Sequence, residues 1–248
     1  MGAERGQQLI LAVTPAQEQQ AQRQQGAILA HMAYRIDAQS HLTRFSGAVP
    51  ASGGLLYLAI ESPLRGNMEP LTAQLLRECA ARHYRGAVVD LPEGCARWAQ
   101  ALDRALTEQK LTLHLPEQYA AAAPHARLLI STAISGGTLR ERLESARRRY
   151  GAERTVAALE RRTEDFPLPC RTGCGRALTT EELVQLRREV RTNVYWSPEL
   201  CTRYFTYVQD QRPHFVLFDD RETMRAKLKT AQAAGISVCM AAWADLQE

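Results

Sequence analysis

The stretch DDRETMRAKLKTAQAAGISVCMAAW (219–243) decides how the chain is read. Asp219 and Asp220 stand just before a helical pattern over Arg221–Ala234. There a carboxylate can accept from the first free amides and meet the positive end of the helix dipole. Gly235 stops the helix, and an apolar run, Ile236–Trp243, follows at once. A run that is apolar almost throughout is what a strand needs when helices cover one face and a barrel core fills the other.

The same alternation extends outward to the N-terminus. Seven further apolar runs can be counted, at Gln8–Val13, Ile28–Ile36, Leu55–Glu61, Gly86–Leu91, Leu111–Leu115, Arg127–Ala133 and Thr155–Leu159. Helical patterns lie between them at Glu69–His83, Ala96–Gln109 and Leu139–Tyr150, with QEQQAQRQQ (17–25) as the polar face of a first helix. Regular strand–helix alternation argues for a parallel sheet, and the 248 residues match the ~250 typical of an eight-stranded α/β barrel. The expected fold is therefore a (β/α)8 TIM-type barrel over 1–248. Residues 163–218 are too many for one loop and carry a helix near Thr180–Arg191 with β-rich runs on its C-terminal side. They read as a small α+β insertion between strands seven and eight.

Composition narrows the function classes. A hydrophobic fraction of 45% and a charged fraction of 23% are those of an ordinary soluble domain. The net charge of +4 is spread over 31 basic and 27 acidic residues, so no basic stripe for nucleic acid is evident. MGAERGQQLILAV at the N-terminus lacks the pattern of a secretory signal, and no run reaches the ~20 apolar residues of a membrane span. The chain as given is expected to remain in the cytoplasm, with no nucleic-acid and no membrane partner. Cys170, Cys174 and Cys201 share the insertion, but no histidine completes a clean zinc set, so no metal and no cofactor is expected.

Three C-terminal strings, LPCRTGCGRALTTEELVQL (168–186), YFTYV (204–208) and HFVLFDDRETMRAKLKTAQAAGISVCMAAWADL (214–246), resemble the end of the family 18 glycosidases, nearest to their spore-cortex-lytic branch. MAYRIDAQSHL (32–42) is similar to the second strand of that family, with its aromatic at Tyr34. The resemblance implies a barrel that binds a glycan containing N-acetylglucosamine, of peptidoglycan or chitin type, and a spore setting. It also implies substrate-assisted hydrolysis, in which the sugar's own acetamido oxygen attacks the anomeric carbon and one glutamic acid donates the proton. That acid ends the fourth strand, two residues after an aspartate that holds the acetamido group.

Here the fourth strand reads GAVVDLPEG (86–94). Asp90 matches the aspartate, but Pro92 occupies the acid's position and cannot donate a proton. Glu93 stands one residue late and could serve only if the chain turned back over the barrel mouth. The sixth-strand run LLISTAISGGTL (128–139) also lacks the tyrosine–aspartate pair that braces the intermediate in the family. These departures point to a barrel that keeps its glycan groove, or serves as a scaffold, with hydrolysis impaired. An active hydrolase using Glu93 is the alternative. Asp90 and Glu93 are thus the candidate catalytic residues, and Tyr34 and Trp243 the candidate sugar-stacking ones. A third reading, an unrelated barrel enzyme acting on a phosphorylated small molecule, rests on the turn Ser135-Gly136-Gly137-Thr138 between a strand and a helix.

Overall fold

The computed structural model describes residues 7–24, 26–37, 40–45, 52–60, 68–170, 173 and 175–247. Eight parallel strands close into a barrel: Gln8–Val13, Ile28–His31, Leu55–Ala59, Gly86–Asp90, Thr112–Pro116, Arg127–Ser131, Thr155–Leu159 and Val238–Ala242. They are called the first to the eighth strand in chain order, and the eighth pairs with the first. Helices α1 (Glu18–Ala21), α2 (Glu69–Ala81), α3 (Ala96–Glu108) and α4 (Leu139–Tyr150) lie between them. None of the described helices is long and apolar enough to cross a membrane.

Side chains two apart on a strand share a face, and this period sorts the barrel into two cores. Ile10, Ala12, Ala30, Leu55, Val88, Val156 and Met240 fill the interior. The alternate residues point outward. Leu56, Leu58, Ala87, Val89, Leu113 and Leu115 meet Leu71 and Leu75 of α2 and Trp98, Leu102 and Leu106 of α3. On the other half, Leu128, Ile130, Ala157, Leu159, Cys239 and Ala241 meet Leu139 and Leu143 of α4 and two residues of a later helix, Met224 and Ala231.

The run expected at Ile28–Ile36 is divided in the structure. The barrel strand stops at His31, and Tyr34–Ile36 pairs instead with Leu42–Arg44 in a separate antiparallel hairpin. The eighth strand is shorter than expected and ends at Ala242. Trp243 opens a short terminal helix.

Between the seventh and eighth strands lies a five-stranded sheet built from Thr163–Pro167, Arg176–Ala177, Tyr195–Ser197, Thr202–Gln209 and Arg212–Phe218. Helix α5 (Thr180–Val190) packs on one face of it through Leu183, Leu186 and Val190, over Phe205, Val216 and Phe218. Its start is secured by a capping box in which Thr179 and Glu182 satisfy each other's backbone amides.

Helix α6 (Arg221–Ala233) follows the sheet, and its two leading aspartates divide the work. Asp220 caps it, accepting from the amides of Glu222 and Thr223 at 2.9 Å each. Asp219 instead turns inward to Lys227 of α6, with Nζ and Oδ2 2.6 Å apart and both side chains almost wholly buried. The same carboxylate oxygen accepts from the Arg162 amide at 2.8 Å, and Lys227 also donates to the Glu160 carbonyl at 2.8 Å. One buried ion pair therefore fastens the end of the seventh strand to the last insertion strand and to α6.

Two predictions follow from this packing. Lys227→Met leaves Asp219 charged and uncompensated in the interior. It should lower stability by about 3–5 kcal/mol in chemical denaturation, and a loss under about 1 kcal/mol would contradict the assigned role. The second concerns His114, which lies on the interior face of the fifth strand and is 1% exposed. Its Nδ1 is 3.4 Å from the Ala87 carbonyl, and its Nε2 has no partner. Burial, with help from Arg127, lowers its pKa from 6.5 to about 4. The unfolded chain thus takes up a proton at His114 below pH 6.5 that the fold refuses until about pH 4, so stability drains away across that window. The stability difference between wild type and His114→Leu should shift in favour of the variant as the pH falls from 7 to 4. A difference independent of pH would contradict this.

Candidate functional site

The interior period continues past the core to the C-terminal rim, the end where barrel enzymes place their sites. Ala30 leads to Met32, Leu55 to Tyr57, Val88 to Asp90, Leu129 to Ser131, Val156 and Ala158 to Glu160, and Met240 to Ala242. All six of these rim residues line one cavity of about 350 Å³, together with Ala12, Pro116, Glu117, Gln118 and Asp245. Met32, Leu129 and Met240 give it an apolar floor, and Tyr57, Asp90, Ser131 and Glu160 supply convergent polar groups.

The two central carboxyls are open to the cavity but have protein around them, and both hold their protons more tightly than usual. For Asp90 the cause is burial. For Glu160 burial comes first and the charge of Asp90 adds to it, opposed by the Ser131 hydrogen bond and by Lys227. The Tyr57 hydroxyl is pushed up to about 12 by burial and by these same two carboxylates, so it remains a hydrogen-bond donor at neutral pH.

Glu160 is the most firmly placed of the set. Its amide donates to Thr132 Oγ1 at 3.2 Å, and its carbonyl is held by Lys227 Nζ. Its Oε2 accepts from the Ser131 hydroxyl. Thr132 is wholly buried, and its own hydroxyl donates to the Ala158 carbonyl at 2.9 Å. Nothing in the sequence reading singled out Glu160, although the spacing Val156, Ala158, Glu160 placed it on the interior face one step past the seventh strand.

The sequence-based candidates separate accordingly. Asp90 reaches the cavity. Glu93 does not, because Leu91 turns outward into the layer shared with α2 and α3 and the following loop is pinned there. The Tyr119 hydroxyl donates to the Pro92 carbonyl, and the Cys95 amide lies 3.3 Å from the same oxygen of Tyr119. Glu93 consequently sits exposed in a turn, outside the cavity lining.

Trp243 also misses the mouth. It shares the parity of Ala241 rather than Met240, so its ring is 8% exposed and packs outside the barrel against Leu11, Val13 and Ala21. The sugar-stacking role expected for it is corrected to a packing one. Tyr34 is likewise buried in the outer layer, where its hydroxyl meets Glu78 Oε2 at 3.1 Å and the Tyr84 hydroxyl at 3.2 Å. The chain leaves the barrel before reaching it, so Met32 holds the rim position of the second strand.

The remaining motifs carry less. Residues 135–138 line none of the cavity, and the first amide of α4, that of Leu139, is taken by the Glu199 carbonyl at 2.8 Å. No group of three or more potential metal ligands occurs among the described residues, and Cys174 lies outside them. A larger cavity of about 710 Å³ lies against α5 in the insertion. Its buried Asp165 has both oxygens engaged, by Tyr207 at 2.7 Å and His214 at 2.9 Å.

No protein-family model matches the sequence, and no curated protein matches it either. Solved structures do. A chitinase from Chromobacterium violaceum superposes with a TM-score of 0.64 at 15% identity, covering 98% of this chain and 96% of that one. The spore cortex-lytic enzyme SleL of Bacillus megaterium gives 0.62 at 14% identity, over 98% of this chain and 71% of that one. A GH18 chitinase from Cycas revoluta in complex with (GlcNAc)3 gives 0.57 at 11% identity, over 95% and 94%. The fold of this chain is the barrel that these spore cortex-lytic and chitinase structures share.

Proposed function

We propose that the protein is a family 18 glycosidase-like barrel that binds an N-acetylglucosamine-containing glycan, of peptidoglycan or chitin type, in the mouth between Asp90 and Glu160. The observation that carries this reading is Asp90. It ends the fourth strand, faces the cavity, and stands where the family's acetamido-holding aspartate would stand. The chemistry of the cavity suits such a ligand. A carboxylate can accept from the acetamido N–H, the Tyr57 hydroxyl can donate to a sugar or amide oxygen, and the methionines and Leu129 can pack the acetyl methyl. A volume of about 350 Å³ is at the small end for ligand pockets and suits a single sugar unit.

The placement of Pro92 and Glu93 disfavours a scheme in which the fourth strand also supplies the acid. Pro92 replaces that acid, and Glu93 is held outside the cavity. A phosphorylated ligand is disfavoured for a separate reason: the described residues that line the mouth include four carboxyl groups, of Asp90, Glu117, Glu160 and Asp245, and no lysine or arginine to pair with a phosphate.

Calorimetric titration with N,N′,N″,N‴-tetraacetylchitotetraose tests the reading. Wild type should bind, Asp90→Ala should lose at least about tenfold in affinity, a cost of about 1.4 kcal/mol, and Glu93→Gln should match wild type. Absence of binding, or binding indifferent to Asp90, would refute it.

A further inference from the structure

We propose that Glu160, at the end of the seventh strand, is the proton donor of this mouth and replaces the fourth-strand acid that the chain lacks. The inference rests on the glycan-binding reading above and extends it from binding to catalysis.

The argument is one of placement. A general acid must be held within hydrogen-bond reach of the atom it protonates, on supports that do not move. Glu160 meets the second requirement. Its main chain is gripped on both sides, by buried Thr132 at the amide and by buried Lys227 at the carbonyl, and its side chain is steered by Ser131. Ser131 engages Oε2, which leaves Oε1 able to carry the proton. Asp90 projects into the same cavity from the fourth strand. One carboxyl can therefore hold the acetamido group while the other addresses the glycosidic oxygen. Burial and the neighbouring charge of Asp90 both favour the protonated form of Glu160, as an acid requires.

The step balances with water as the only co-reactant. Glu160 gives its proton to the glycosidic oxygen as the bond from that oxygen to C1 breaks, and the bonding pair leaves with the departing sugar. The acetamido carbonyl oxygen bonds to C1 and forms a cyclic oxazolinium ion. A water oxygen then attacks C1, its proton returns to Glu160, and the acetamido group is restored.

Two substrates separate an acid from a structural residue. Departure of a sugar alkoxide from tetraacetylchitotetraose needs a proton, whereas departure of dinitrophenolate from the 2,4-dinitrophenyl glycoside of diacetylchitobiose does not. Wild type should turn over both. Glu160→Gln should slow the tetramer by ~10²–10⁴-fold and the first-turnover release of dinitrophenolate by less than about tenfold, because only the later attack of water calls on Glu160 as base, with an unchanged circular dichroism spectrum. Glu93→Gln should leave both rates as they are. A wild type that binds the tetramer but cleaves neither substrate overturns the assignment of Glu160 and leaves the binding reading intact. Equal losses on both substrates, or no loss on either, also overturn it. Failure to bind the tetramer at all removes both readings together.

Discussion

The Lys227–Asp219 ion pair is the contact on which the rest of this architecture depends. Burying two charges is costly unless further hydrogen bonds offset it, and here each member makes one, although Asp219 Oδ1 is left without a partner among the described residues. Lys227 reaches the Glu160 carbonyl, and Asp219 reaches the Arg162 amide. The pair thus holds the chain where it leaves the seventh strand and where it re-enters α6, the two ends of the insertion. The five-stranded sheet can then be carried on a barrel without loosening its rim. Glu160 is tied into this arrangement through its carbonyl, so the contact that secures the fold also helps to position the proposed acid.

Most of the fold was legible in the sequence, because strand–helix alternation and capping act locally. Asp219-Asp220 before an amphipathic run and Gly235 after it placed α6 to within a residue, while the eighth strand is shorter at both ends than the apolar run Ile236–Trp243. Boundaries were less secure where apolar runs continue past the strand. Ile28–Ile36 reads as one run, yet the Met32 amide is the last to reach the first strand, donating to Val13 at 2.8 Å before the chain turns into its hairpin. Resemblance placed Tyr34 and Trp243 at the mouth, and in both cases the barrel strand had already ended.

The site was only half legible. Asp90, which lines the cavity, was singled out because its position in the fourth strand is part of a recognisable motif. Glu160 was not, because nothing about LERRT (159–163) is distinctive as a string. Its importance comes from parity with Val156 and from partners far along the chain, Ser131, Thr132 and Lys227, which only the closed barrel brings together. Glu93 shows the converse. It lies next to the motif in sequence and is carried away from the cavity by the hold of Tyr119 on the Pro92 carbonyl.

The chemistry proposed for this mouth therefore keeps one half of a family scheme and relocates the other, with the acetamido-holding carboxylate on the fourth strand and the acid on the seventh. A crystal structure of the protein with an N-acetylglucosamine oligomer tests that division most directly. The account predicts a sugar in the barrel mouth with its acetamido N–H on Asp90 and its glycosidic oxygen within hydrogen-bond distance of Glu160. An oligomer lying elsewhere on the surface, or one in the mouth with Glu160 turned away from every glycosidic oxygen, would contradict it.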